Sequence, residues 1–102
     1  MSMAGVFAPA GNTVTLSVTG TTGRVARTAP TTMGVVRVVN AGPNVAFMEF
    51  GDVTIEATAA AGMPILPGSA ELFAMSDIET DVAAICATGE TATLYITSGI
   101  GE

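Results

Sequence analysis

The sequence predicts an all-β fold: a single compact β-sandwich or jelly-roll-like barrel of seven to eight short strands. Three observations carry this expectation. Apolar and polar residues alternate with period two in one stretch after another, while the three-and-four spacing of an amphipathic helix is weak. Turn residues interrupt these stretches at intervals of roughly 8–12 residues, the rhythm of sandwiches and small barrels. Thr and Val, at 15 and 11 copies, are abundant, and β-branched side chains suit a pleated surface. No interval between the predicted strands carries a helical stripe, which argues against parallel βαβ units.

The elements follow in order. In residues 12–18, Val14, Leu16 and Val18 share one face and Thr13, Thr15 and Ser17 the other, a half-buried strand. TGTTG at 19–23 is turn chemistry and reads as a hairpin, with residues 24–27 a short extended piece. Residues 28–34 read as a loop. Residues 35–40 form a second strand, apolar on both faces except at Arg37 and its end. AGPN at 41–44 turns, because Gly and Pro restrict the backbone there. VAFMEF at 45–50 is the third strand, followed by a Gly51-Asp52 turn. VTIEAT at 53–58 alternates again and reads as a strand. Residues 59–68, with two prolines, read as a loop or crossover. AELFAM at 70–75 reads as a short strand, residues 81–87 as another. TGE at 88–90 signals a tight hairpin into the last strand, 92–97, with 98–102 a Gly-rich tail.

Composition bounds what the chain can be. At 102 residues one domain is expected; residues 1–11 read as an N-terminal arm and 12–102 as the β-sandwich domain. Nine acids against three arginines give a net charge of −6. Nucleic acid is not an expected partner, because phosphate binding needs Lys and Arg to release counterions. An anionic membrane surface is disfavoured for the same reason. His, Lys and Trp are absent and Cys occurs once. The commonest general base, the Schiff-base amine and the Cys–His pair are therefore missing, so the chain is not expected to be an enzyme, nor to carry a cofactor. A single Cys forms no internal disulfide, and Cys86, in an apolar run, reads as a small buried hydrophobe. No basic, apolar targeting segment is visible. Four Phe and one Tyr are few, so the core relies on small aliphatics and part of the stability is expected from a partner.

Several motifs invite a functional reading. Asp77, Glu79 and Asp81 alternate in DIETD and could offer oxygens to Ca²⁺, but an EF-hand loop would need Gly at position 82 and Glu at 88, where Val82 and Thr88 stand. A solvated acidic turn is the expectation, and no metal site is predicted. Gly20-Thr21-Thr22-Gly23-Arg24 lacks the Lys-Ser/Thr of a phosphate loop and opens no helix. Arg37 is either an outward residue or a partner of Glu49 on the next strand; the turn chemistry leaves the register open. GMPILPG at 62–68 carries Met63, Ile65 and Leu66, which either cap the open end of the sandwich or form an apolar docking patch. Val6 and Phe7 lie in an uncharged arm and are expected to pack on a neighbouring subunit or a larger surface. These five residues are the predicted partner interface.

The stretches VRVVNAGPNVAFMEFG, MPILPGSAELFAM and VAAICATGETATLYITSGIGE resemble small virion proteins of tailed bacteriophages, capsid decoration or cement proteins in particular. The likeness covers about two-thirds of the chain, from Val35 onward. It implies a structural role on the head surface, contacts with the major capsid protein and with the protein's own copies as a homo-oligomer, assembly in the host cytoplasm, and no chemistry. The competing reading is a tail-fibre or adhesin module that binds a receptor or glycan; it is weakened by the absence of Trp and the single Tyr, Tyr95.

Overall fold

The structure, a computed structural model, describes residues 7–9, 12–26, 34–76 and 78–101, with backbone alone at Phe7, Ala8, Ile100 and Gly101. Among these residues there are nine strands and no helix: β1 (Phe7–Pro9), β2 (Val14–Val18), β3 (Gly23–Ala26), β4 (Gly34–Pro43), β5 (Ala46–Gly51), β6 (Met63–Ile65), β7 (Ala70–Met75), β8 (Asp81–Ile85) and β9 (Ala92–Gly101). They form two antiparallel sheets. The long sheet runs β1-β9-β4-β7, with β2 also on β9; the short sheet runs β3-β8-β5-β6. β1 and β2 lie along the same strand, β1 opposite residues 99–101 and β2 opposite residues 92–96. They act as one interrupted strand, which makes eight lanes in all.

The pairings are nested: β2 with β9, β3 with β8, β4 with β7, β5 with β6. The chain is thus one long antiparallel hairpin closed at β5–β6. It is rolled so that β9 also meets β4 and β8 also meets β5. This is the wiring of a jelly roll, two Greek keys on two sheets. The all-β sandwich expectation is met, and the topology selects its jelly-roll form.

Several local expectations are corrected by this wiring. Residues 19–23, 41–44 and 88–90 do turn the chain, but none closes a hairpin; each carries it from one sheet to the other. Turn chemistry dictates that the backbone reverses, not which strand it pairs with next. Arg37 and Glu49 consequently stand in different sheets: Arg37 lies between Leu72 and Thr97, and Glu49 lies beside Ala83. Residues 53–58 form no strand despite their alternation; two are a turn and four are irregular. The tail at 98–102 is instead strand through Gly101, and the loop at 59–68 contains β6.

Between the sheets the alternation does what it promises. Leu16, Val18, Val36, Val38, Leu94 and Ile96 from the long sheet meet Ala46, Met48, Val82, Ala84 and Cys86 from the short-sheet side. Phe50 and Phe73 bridge the two sheets with ring centroids 5.4 Å apart. Such a tilted aromatic pair contributes about 0.5–1.5 kcal/mol beyond its buried area. Cys86 is buried, and its burial pushes the thiol pKa up, as expected of a small core residue.

One end of the roll is tied by Asn40, which is wholly buried. Its amide Nδ2 donates to the Ile65 and Asn44 carbonyls at 2.8 and 3.0 Å, and its Oδ1 accepts from the Gly42 N–H at 2.7 Å. Its backbone completes the set, donating to Ser69 O and accepting from Gly68 N. A buried amide so satisfied holds the β4–β5 and β6–β7 crossovers together. Gly42 sits at φ 88°, where a side chain would be strained.

Candidate functional site

Each sheet has an outer face as well as a core face, and the two outer faces differ. On the short sheet Arg24, Ala83 and Glu49 form one outward row, with Phe47 and Ile85 in the next. Ala83 points away from the core, since Val82 and Ala84 point into it, yet it is 0% exposed. The cover is the β5–β6 loop. Its Ala57 N–H donates to Thr22 Oγ1 at 2.8 Å, and its Thr58 N–H donates to Glu49 Oε2 at 3.3 Å. Gly62 returns so close to β5 that a Cβ there would stand 2.8 Å from the Phe47 Cβ. Between this loop and β3 lies an open pocket of about 280 Å³, lined by Thr22, Gly23, Arg24, Ile55 and Glu56.

Asp81, Asp52 and Glu79 each accept hydrogen bonds. Asp81 is nearly buried, pairs with Arg24 Nε at 3.5 Å, and accepts from Thr80 Oγ1 at 2.7 Å. Asp52 accepts from the Thr54 hydroxyl and N–H at 2.6 and 2.8 Å, and these bonds lower its pKa. Glu79 accepts from the Ser76 N–H at 2.9 Å. Asp77 lies outside the described residues, and among those described no three potential ligands gather around a metal position.

Among the described residues, no loop is pinned across the long sheet's outer face in this way. Its rows follow from the register: Thr15, Tyr95, Val39 and Ala70; then Thr97, Arg37 and Leu72; then Gly99, Val35 and Ala74. Thr13 joins the second row through a 2.7 Å hydroxyl contact with Thr97. Tyr95 is 42% exposed and Leu72 47%. Arg37 is the single charge in these rows, on a chain of net charge −6. The face sets one cation, Arg37, among Val35, Val39, Leu72 and Tyr95, with hydroxyls toward its β2 side.

The predicted interface residues fall apart on this frame. Ile65 is 0% exposed and belongs to the core, because β6 pairs with β5 and turns its third residue inward. Met63 and Leu66, at 38% and 59%, are exposed on and just beyond β6, which belongs to the short sheet. Val6 lies outside the described residues, as does the side chain of Phe7, whose backbone pairs with Gly101. Sequence reasoning does not assemble the outer face of the long sheet. A partial signal exists: Arg37 interrupts an apolar run, and Tyr95 is the one Tyr of the chain. Only the register shows that they are neighbours.

No protein-family model, curated protein or solved structure matches this chain.

Proposed function

We propose that this protein is a virion structural protein that decorates and stabilises a phage capsid through protein–protein contacts. The observation that supports it best is the outer face of the long sheet, which among the described residues carries Tyr95, Leu72 and Arg37 exposed with no loop across it. Contiguous exposed apolar patches mark interaction surfaces, and aromatic and Arg residues are the ones interfaces concentrate while acids are depleted. Tyr95 and Arg37 amid uncharged neighbours fit that description. The jelly roll occurs in capsid and lectin domains alike, so the fold alone decides nothing; the resemblance of the 35–102 segment to decoration proteins favours the capsid. The major capsid protein is the partner, with the head surface as the location.

In this reading Arg37 meets a carboxylate of the capsid protein, and Tyr95 and Leu72 fill shallow apolar depressions around it. The test is co-sedimentation of the purified chain with expanded, DNA-free heads of the phage that encodes it. Saturable binding at a fixed ratio to the capsid protein, with a higher rupture temperature of the heads, is the expected result. A chain that stays in the supernatant but binds a glycan array or host cells would replace this reading with the receptor-binding one.

A further inference from the structure

We propose that β7 is a self-pairing edge that joins two copies of this chain into one continuous sheet. The proposal deepens the capsid-docking reading and rests on it for its purpose, while the geometry stands on the strands themselves.

Sheet edges present unpaired N–H and C=O groups, and proteins blunt them with Pro, charges, bulges or very short strands. Among the described residues this roll has four edges, and three are blunted. β6 is three residues long and contains Pro64. β3 is four residues long and carries an exposed Arg24. The β1–β2 edge contains Pro9 and shifts register between its two parts. β7 has the fewest of these devices, the single acid Glu71 being the one it carries. It runs six residues, Ala70–Met75, without Pro or a basic residue, and its register against β4 does not slip over all six pairs.

The strand is also self-complementary. In antiparallel pairing, residues directly opposite share a face. A two-fold axis at Leu72 puts Leu72 against Leu72 of the second copy, Ala70 against Ala74, and Glu71 against Phe73. No acid meets an acid, which matters for two molecules that each carry −6. The exposed Leu72 side chains cover one another. The outer rows then run unbroken from one copy's Tyr95 and Val39 across the joint to the other's.

Area points the same way. Four strands about 4.8 Å apart and seven residues long at about 3.4 Å each make a face of about 400 Å². A standard interface needs about 800 Å² on each partner. One copy falls short; a pair joined through β7 reaches it, and binding by two linked faces adds avidity.

Two variants test this, each checked for an unchanged unfolding temperature. Glu71→Lys places a lysine on the edge without touching the outer face. It should weaken the self-association of the wild-type chain, followed by sedimentation velocity across concentrations, at least tenfold. Leu72→Cys in a Cys86→Ser background should oxidise to a disulfide dimer, since opposite Cβ atoms lie about 4.5–5.5 Å apart, closest in non-hydrogen-bonded pairs. Val53→Cys in the same background, on the covering loop and more exposed than Leu72, should not. A wild-type chain that is monomeric at all concentrations, a dimer indifferent to Glu71→Lys, or a Leu72→Cys variant that forms no crosslink overturns the proposal. Added heads separate the two readings. If the Leu72→Cys variant crosslinks but the wild-type chain never sediments with heads, the edge stands and the docking falls. If the wild-type chain sediments with heads but Leu72→Cys never crosslinks, the docking stands and the edge falls.

Discussion

The two sheets share one core and treat their other sides in opposite ways. On the short sheet, the β5–β6 loop lies over Ala83 and Phe47 and is pinned by Thr22 and Glu49. On the long sheet, Tyr95 and Leu72 stand in solvent around Arg37. An antiparallel sheet needs only one buried face. Covering the second with the chain's own loop stabilises the fold; leaving it bare and nearly free of charge leaves a surface for something else. The difference shows in the sequence of the strands. β8 reads DVAAI, apolar on both sides, and β9 alternates Thr and Tyr with Leu and Ile.

The sharpest way to break this comparison is to place the same side chain on each outer face. Ala83→Lys forces a long side chain under the loop, between Arg24 and Glu49. It should destabilise the protein by about 3 kcal/mol, the upper end of what overpacking a filled site costs. Thr15→Lys, on the bare face, should change stability by less than about 0.5 kcal/mol. Equal effects in urea titrations would show that the two faces do not differ. Next in size is Gly62→Ala. Its Cβ would stand 2.8 Å from both the Phe47 Cβ and the Thr58 carbonyl oxygen, an overpacking expected to cost about 1–3 kcal/mol. The same variant should raise hydrogen exchange across 52–62 and leave β4 and β9 protected.

How much of this is legible in the sequence depends on distance along the chain. β2 and the first half of β9 alternate, while β4, β5, β7 and β8 are short apolar-rich runs bounded by turn residues, and each is readable. Their pairing is not. The turns at 19–23, 41–44 and 88–90 look like hairpins because a reversal between sheets and a reversal within one use the same Gly, Pro and Asn chemistry. Residues 53–58 alternate as a strand would, but Ile55 packs against Gly51 and the Ala57 N–H goes to Thr22, so the segment serves as a lid. Adjacency groups Ile65 with Met63 and Leu66, and only the β5–β6 pairing sends it inward. The proposed docking face is hidden for the same reason: Arg37, Leu72 and Tyr95 come from three strands far apart in sequence.

Smaller effects sharpen the contrast further. Thr22→Val removes the acceptor for the Ala57 N–H and should cost about 0.5–1.5 kcal/mol, read most directly as faster exchange at Ala57. Asp52 gives the smallest effect, and one that depends on pH. Its two bonds from Thr54 lower its pKa below the usual 3.8. A depressed carboxylate stabilises the fold at pH values above its unfolded pKa, and that contribution fades as pH falls through the folded value. Wild type and Asp52→Asn should therefore differ slightly in unfolding temperature at neutral pH and converge in strong acid. A gap that widens in acid would contradict the assignment.

The central claim, that the bare face of the long sheet is the docking surface, is tested most directly by binding to heads. The double variant Tyr95→Ala with Arg37→Glu should bind at least tenfold more weakly than wild type in co-sedimentation, with an unfolding temperature within about 4 °C of it. The double variant Met63→Ser with Leu66→Ser should bind as wild type does. Full-strength binding by the first pair and loss in the second would move the docking surface to the β6 side and contradict the account.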